Sequence, residues 1–199
     1  MKIGVLGGTF DPVHRGHILI AEEARDALGL SEVLIVPSGQ PVFKSNYKVT
    51  SAEHRLAMLR LAVAGIPWIK VSTMEIERAG PSYTVDTVTE LRERPESSSE
   101  IYFIIGWDSL AYFPEWREPE RIINVCILAA VPRPGFDCPD IRALEKKVPG
   151  ISSRVVFLEK PLTDISSTDI REKASRGEPI VDLVPGPVAD YIKEHKLYE

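Results

Sequence analysis

The chain has 199 residues, of which 44% are hydrophobic and 27% charged, and its formal net charge is −5. That length suits one compact α/β domain over residues 1–199 and is too short for two ordinary ones. The acidic balance argues against nucleic acid as a main partner, and no apolar run approaches the length of a membrane span, so a cytoplasmic protein with no membrane partner is expected.

The first apolar run, residues 2–6, reads as a buried strand. It is followed by Gly7-Gly8-Thr9-Phe10-Asp11-Pro12-Val13-His14-Arg15-Gly16-His17, and then by a helical pattern over residues 18–28. Paired glycines at a strand–loop–helix junction let a ligand approach the backbone without a Cβ in the way. The helix behind them turns its free N–H groups toward the loop, which makes an anion site, most often for phosphate. His14 and His17 are three apart, so they share one face of the first turn, and Gly16 leaves space beside it. Either feature alone is usually a plain turn or a packed histidine; together they point to chemistry on phosphate. The dinucleotide fingerprint fails, because the glycines are Gly4, Gly7 and Gly8 and no acid ends the second strand. The Gly-Lys-Ser/Thr of a P-loop is absent as well.

A second strand is expected over residues 32–36, then a turn-rich loop over 37–46 that carries Lys44, which fits a phosphate contact and a solvated surface lysine equally well. Ser51 opens the next helix, with Arg55 in its first turn; a surface role for Arg55 is slightly favoured over ordering the site. Residues 68–72 read as a third strand, while 75–78 fit either its extension or a turn. Ser82-Tyr83-Thr84-Val85-Asp86-Thr87 opens a helix running to about residue 94, and its start offers N–H and hydroxyl donors.

Residues 101–105 form the clearest central strand, ending in Gly106-Trp107-Asp108-Ser109-Leu110. Gly106 and Asp108 are placed for a ribose hydroxyl or a metal-bound water, with helix capping the competing account of Asp108. Tyr112 and Trp116 can stack on a flat ring or plug the structure locally. A short helix near 119–124 precedes a strand over 126–131, whose end puts Arg133 on the same rim of the sheet. Of the two cysteines, Cys126 reads as core, and neither it nor Cys138 has metal-ligand spacing.

A short helix within 137–149 and a last strand over 154–158 lead to Ile165-Ser166-Ser167-Thr168-Asp169-Ile170-Arg171. Ser166 and Asp169 resemble a capping box. Ser167, Thr168 and Arg171 are more than a cap needs and argue for a second anion site. A final structural helix is expected over about 187–196. The alternation predicts a Rossmann-like α/β fold, an open, mostly parallel sheet with helices on both faces and the polar candidates on the rim at the strand carboxyl ends.

The motif ending His14-Arg15-Gly16-His17 resembles the signature of nucleotidyltransferases with a T/H-x-G-H motif, and residues 165–171 resemble their second signature, I-S-S-T-x-I-R. With residues 82–87, 103–110 and 132–135, the match runs in order over nearly the whole chain and is similar to the bacterial nicotinate mononucleotide adenylyltransferases. The resemblance implies that the 5′-phosphate of nicotinate mononucleotide attacks the α-phosphorus of ATP, giving deamido-NAD and pyrophosphate. It implies ATP contacts from Gly7, Gly8, Thr9, Phe10, His14, His17, Gly106, Asp108, Arg133, Ser166, Ser167, Thr168 and Arg171. Catalysis falls to His14, His17, Lys44 and Arg171. Thr9, Lys44, Tyr83, Thr84 and Trp116 meet the mononucleotide, with Trp116 stacked on its ring. Mg²⁺ is expected on the ATP phosphates and water, without a protein metal cage; a homo-oligomer is compatible with all of this. In the second loop the family pattern P-x-x-x-P-P-H-K becomes Pro37-Ser38-Gly39-Gln40-Pro41-Val42-Phe43-Lys44, with Phe43 at the family's histidine. Rival readings are another small adenylyltransferase, such as one acting on phosphopantetheine, and a nucleotide-binding regulator without turnover.

Overall fold

A computed structural model describes residues 1–42, 48–94, 99–160 and 163–199. Six parallel strands form one sheet: β1 (Lys2–Gly8), β2 (Glu32–Pro37), β3 (Ile69–Val71), β4 (Glu100–Gly106), β5 (Ile127–Val131) and β6 (Val155–Phe157). Their order is β3-β2-β1-β4-β5-β6. The chain winds outward from β1 in one direction, then returns to begin again at β4 on the other side. That reversal leaves a crevice at the carboxyl ends of β1 and β4, the place where such sheets bind ligands. The expected sheet is therefore present, and every pairing in it is parallel.

The strands are apolar on both faces because helices cover both. In β1, Val5 packs on one side and Leu6 on the other; in β4, Ile101, Phe103 and Ile105 oppose Tyr102 and Ile104. One face is covered by α1 (Arg15–Leu28), α2 (Ala52–Val63), α8 (Ser167–Ser175) and α9 (Gly186–Glu194). The other is covered by α3 (Met74–Glu77), α4 (Thr84–Glu93), α5 (Trp107–Ala111), α6 (Pro119–Val125) and α7 (Ile141–Lys147). Cys126 is core, as expected, and burial pushes its thiol up to about 12. No helix among the described residues is long and apolar enough to cross a membrane.

Three local expectations change. The first helix starts at Arg15 rather than 18, because His14 is its N-cap and Gly16 lies inside the first turn. Residues 75–78 neither extend β3 nor form a simple turn; they fall mostly in the short helix α3. Arg55 is not a surface residue but one of the largest fully buried side chains, 1% exposed. Its guanidinium donates to the carbonyls of Thr50, Thr9 and Ser38 at 2.8–2.9 Å. It thereby ties the loops after β1 and β2 together from beneath the site.

Candidate active site

A cavity of about 770 Å³ opens at the switch point between β1 and β4. Every described residue of the predicted site lines it: Gly7, Gly8, Thr9, Phe10, His14, His17, Tyr83, Thr84, Gly106, Asp108, Trp116, Arg133, Ser166, Ser167, Thr168 and Arg171. Lys44 and Phe43 lie outside the described residues.

At the end of β1 the two glycines lie close against aromatic rings. A Cβ on Gly7 would meet the Phe103 ring at 3.3 Å, and one on Gly8 would meet the Phe10 ring at 3.2 Å. Phe10 has a left-handed backbone, φ 52°, which folds its ring under the loop, where it is 2% exposed. The ring also meets His17 edge-on, with centroids 4.8 Å apart. The loop after β1 is thus carried on an aromatic floor.

The two histidines stack with centroids 3.7 Å apart. The His14 amide donates to His17 Nδ1 at 3.2 Å, which requires that nitrogen to be unprotonated. In the neutral ring the proton then sits on Nε2, leaving an N–H donor. Burial first, and the Arg133 charge second, lower the His14 pKa to about 4. His17 is held well below its ordinary value by burial, then by His14 and Arg133. Both rings are therefore neutral before a ligand arrives. His14 Nδ1 is buried with no hydrogen-bond partner among the described residues, and a Cβ on Gly16 would come within 3.0 Å of it. The space that Gly16 leaves is the space the His14 ring fills.

The second anion wall is the start of α8. Ser166 caps the helix by accepting from the Asp169 amide at 3.1 Å, a contact typically worth about 1 kcal/mol. The Ser167 hydroxyl donates to the Pro12 carbonyl at 2.9 Å. Arg171 donates to the Asp11 carbonyl at 2.7 Å and to Thr168 Oγ1 at 3.1 Å. The start of α8 is therefore docked on the Asp11–Pro12 turn of the first motif, so the two signatures form one surface.

Arg133 and Asp108 pair at 2.9 Å across the ends of β5 and β4. A Cβ on Gly106 would lie 2.4 Å from Asp108 Oδ1, so the carboxylate occupies space that only glycine leaves open. Asp108 sits in the first turn of α5, where the free N–H groups favour a negative charge; it caps no helix by a side-chain bond.

The opposite end of the cavity is assembled from distant segments. Gly39 donates its amide to Ser82 Oγ at 2.9 Å, and Pro41 bridges to Ser82. A Cβ on Gly39 would stand 2.1 Å from the Glu75 carbonyl, so this approach needs glycine. Thr84 and Val85 open α4, where the first amides have no intrahelical acceptor. Trp116 leans on Phe103 and Phe113, with centroids at 6.1 and 5.4 Å. It is both a local plug and a cavity wall. Tyr112 is 60% exposed and does not line the cavity. The Arg117 guanidinium lies 4.5 Å over the Tyr83 ring.

Sequence reasoning gave no role to Asp11, Thr50, Gly39 or Tyr198. Asp11 is 1% exposed and accepts from the Thr50 amide at 3.0 Å and the Tyr198 hydroxyl at 2.7 Å. Among the described residues no group of three or more His, Cys, Asp or Glu is arranged to hold a metal ion.

The family model described as cytidylyltransferase-like matches residues 5–173. A protein of Dehalococcoides mccartyi strain CBDB1, named "Probable nicotinate-nucleotide adenylyltransferase", is 44% identical over 198 residues, covering 100% of this chain and 97% of its own. A protein of Roseiflexus sp. strain RS-1 with the same name is 45% identical over 196 residues, covering 98% and 97%. Among solved structures, the Plasmodium falciparum nicotinic acid mononucleotide adenylyltransferase complexed with NaAD is similar at TM-score 0.79 and 22% identity, covering 99% of this chain and 97% of that one. Its identity is low enough that it speaks for the fold alone. The full-length matches to curated relatives agree with a first motif and an α8 start that close on one cavity, and the chain belongs to the nicotinate-nucleotide adenylyltransferases, within the cytidylyltransferase-like family.

Proposed function

We propose that the cavity transfers the adenylyl group of ATP to nicotinate mononucleotide, giving deamido-NAD and pyrophosphate, a step of NAD biosynthesis. The observation that carries the reading is the joint between the two signatures. Ser167 and Arg171 bind the Pro12 and Asp11 carbonyls, so two walls built for anions face one space at the switch point. A triphosphate is the ligand that needs both.

An oxygen of the acceptor phosphate forms the new bond to the α-phosphorus. The bond from that phosphorus to the bridging oxygen of the β-phosphate breaks, and pyrophosphate leaves with the electron pair. A phosphate monoester is already an anion at neutral pH, so no strong base is required, and the protein's task is alignment and charge neutralisation. Neutral imidazoles suit this task. The Nε2–H of His17 donates to a phosphate oxygen while its Nδ1 keeps the His14 amide, so the ring meets developing negative charge as a pre-set neutral donor. Gly7, Gly8, Thr9 and Phe10 bring the backbone close to the nucleotide. Thr168, Arg171 and the first amides of α8 hold the β- and γ-phosphates, with Ser166 and Ser167 fixing the helix that carries them. Gly106, Asp108 and Arg133 lie along the nucleotide's path, and Arg133 adds positive charge. Lys44 is assigned to the phosphates on the strength of its position in the second loop's motif.

At the other end, Trp116 and Tyr83 flank the acceptor ring, while Thr84 and the first amides of α4 meet its carboxylate. An amide in that place would turn N–H₂ toward N–H donors and leave buried groups unpaired, which favours the acid. Mg²⁺ belongs to this reading as a passenger of the nucleotide, held by phosphate oxygens and water. Of the two aspartates in the cavity wall, Asp11 is engaged at both oxygens, while Asp108 pairs with Arg133 through Oδ2 and keeps a buried Oδ1 without a partner among the described residues, so together they offer the ion one oxygen rather than a cage.

The test is pyrophosphate release from ATP and Mg²⁺ with nicotinate mononucleotide, nicotinamide mononucleotide and phosphopantetheine side by side. Preference for nicotinate mononucleotide is expected. Release only with phosphopantetheine would overturn the acceptor assignment, and no release with any acceptor would overturn catalysis itself.

A further inference from the structure

Tyr198 lies beyond α9, far from the site in sequence, yet its hydroxyl donates to Asp11 Oδ1 at 2.7 Å. Asp11 is almost wholly buried, and its other oxygen accepts from the Thr50 amide at 3.0 Å. A buried carboxylate is costly unless its lone pairs are met, and this tyrosine meets one of its two oxygens. Burial, then the Asp11 charge and hydrogen bond, raise the Tyr198 pKa, so the hydroxyl stays protonated as a donor.

The segment is held in an unfavourable backbone to make this contact. Lys196 and Tyr198 have φ of 49° and 72°, in the left-handed region that non-glycine residues avoid. The Leu197 amide returns to the Ile192 carbonyl at 3.0 Å, and α9 itself packs on α2. Across that junction the Tyr191 hydroxyl meets His54 Nδ1 at 2.9 Å. The turn that Tyr198 clamps is the one on which α8 docks, because Asp11 O accepts from Arg171 and Pro12 O from Ser167.

We propose that Tyr198 is a positioning residue for the phosphate end: its hydroxyl fixes the Asp11 carboxylate, and the Asp11–Pro12 turn in consequence fixes where Arg171 and the start of α8 stand against ATP. The proposal rests on the adenylyl-transfer reading for its ligand. It makes the segment after α9 part of the nucleotide site, although Tyr198 touches no reacting atom.

The experiment measures Mg·ATP affinity by calorimetry in the full chain carrying Tyr198→Phe, which keeps the ring and removes only the hydroxyl. The expected result is ATP binding weaker by about tenfold, the order of one lost charge-assisted bond, with the KM for the acceptor unchanged. Asp11→Asn alone is the second arm. Removing a negative charge beside a triphosphate would by itself tighten ATP, whereas a misplaced turn weakens it, so weaker binding supports the proposal and tighter binding overturns it. Both changes act on one hydrogen-bonded unit, so the double variant is expected to lose less ATP affinity than the two singles summed, and strict additivity would overturn the proposal. Unchanged ATP affinity in Tyr198→Phe, even with a lower melting temperature, would overturn the proposal and leave Tyr198 merely structural. Wild-type protein that binds Mg·ATP but releases no pyrophosphate would overturn the proposed reaction while this affinity measurement still decides the role of Tyr198.

Discussion

The two ends of the cavity are built in different ways. The phosphate end comes from two short signatures whose side chains are fixed by hydrogen bonds to nearby backbone: His17 to the His14 amide, Ser167 to Pro12, Arg171 to Asp11. The acceptor end is assembled from the loop after β2, the start of α4 and the 115–117 connection, joined by one amide–hydroxyl bond, one bridge and aromatic packing. A group whose charge must be neutralised in a fixed geometry needs pre-set donors. A flat ring needs a surface of the right shape, which packing supplies. So the first end should fail in turnover when disturbed, and the second in acceptor binding.

The largest expected effect follows from the first half of that contrast. His17→Ala removes the Nε2–H donor while leaving the Phe10 floor and the helix in place. Loss of one preorganised donor to developing charge typically costs about 10²–10³ in kcat. We expect a fall of that order in a variant that still folds, with a lower melting temperature from the lost His14 amide contact and ring packing. Near-normal turnover in the folded variant would falsify the placement of His17 on the phosphates.

How much of this was legible in the sequence divides along the same line. Strand–helix alternation and the glycine and hydroxyl motifs are contiguous signals, so the sheet, the crevice and the phosphate-end residues could be read directly. The apolar pattern alone puts the start of α1 at residue 18, although the spacing of His14 and His17 already sets them on one face of the first turn; only the folded turn shows the imidazole occupying the space beside Gly16. Arg55 was weighed as a surface residue because arginine is rarely buried, yet it lies on the helix face shared by Met58, Leu59 and Ala62. A cation on an apolar stripe was the available signal that it feeds carbonyls inside. Tyr198 and Gly39 gave no such signal. Their partners, Asp11 and the Glu75 carbonyl, are 187 and 36 positions away, and only the tertiary fold brings them together.

A second test sharpens the electrostatics of the phosphate end. Burial, then Arg133, holds the His14 pKa at about 4 against an ordinary 6.5. The unfolded chain therefore takes up a proton at this site as pH falls through 6.5, while the folded chain resists until about 4. Stability falls over that interval, by up to about 3 kcal/mol in total and about 2 kcal/mol between pH 7 and pH 5. His14→Gln should lose that share of the dependence, so its denaturation midpoint should move less than the wild type's between pH 7 and pH 5. Parallel shifts in the two proteins would mean that His14 is not held neutral by the fold.

The smallest effect tests the acceptor end. Trp116 packs on Phe103 and Phe113 by one side while facing the cavity, so Trp116→Ala removes a stacking surface along with some local packing. A stacked aromatic contact is worth about 0.5–1.5 kcal/mol beyond its area, which corresponds to a rise of up to about tenfold in acceptor KM. Because the ATP phosphates are held by the first motif and α8, the KM for ATP should stay within about twofold. Trp116→Phe keeps a ring and should recover most of the loss, which separates stacking from packing. If Trp116→Ala instead raised the KM for ATP and left the acceptor's alone, the two ends of the cavity would have to be exchanged. The contrast between a pre-set phosphate end and a packed acceptor end would then describe the adenosine side rather than the nicotinate side.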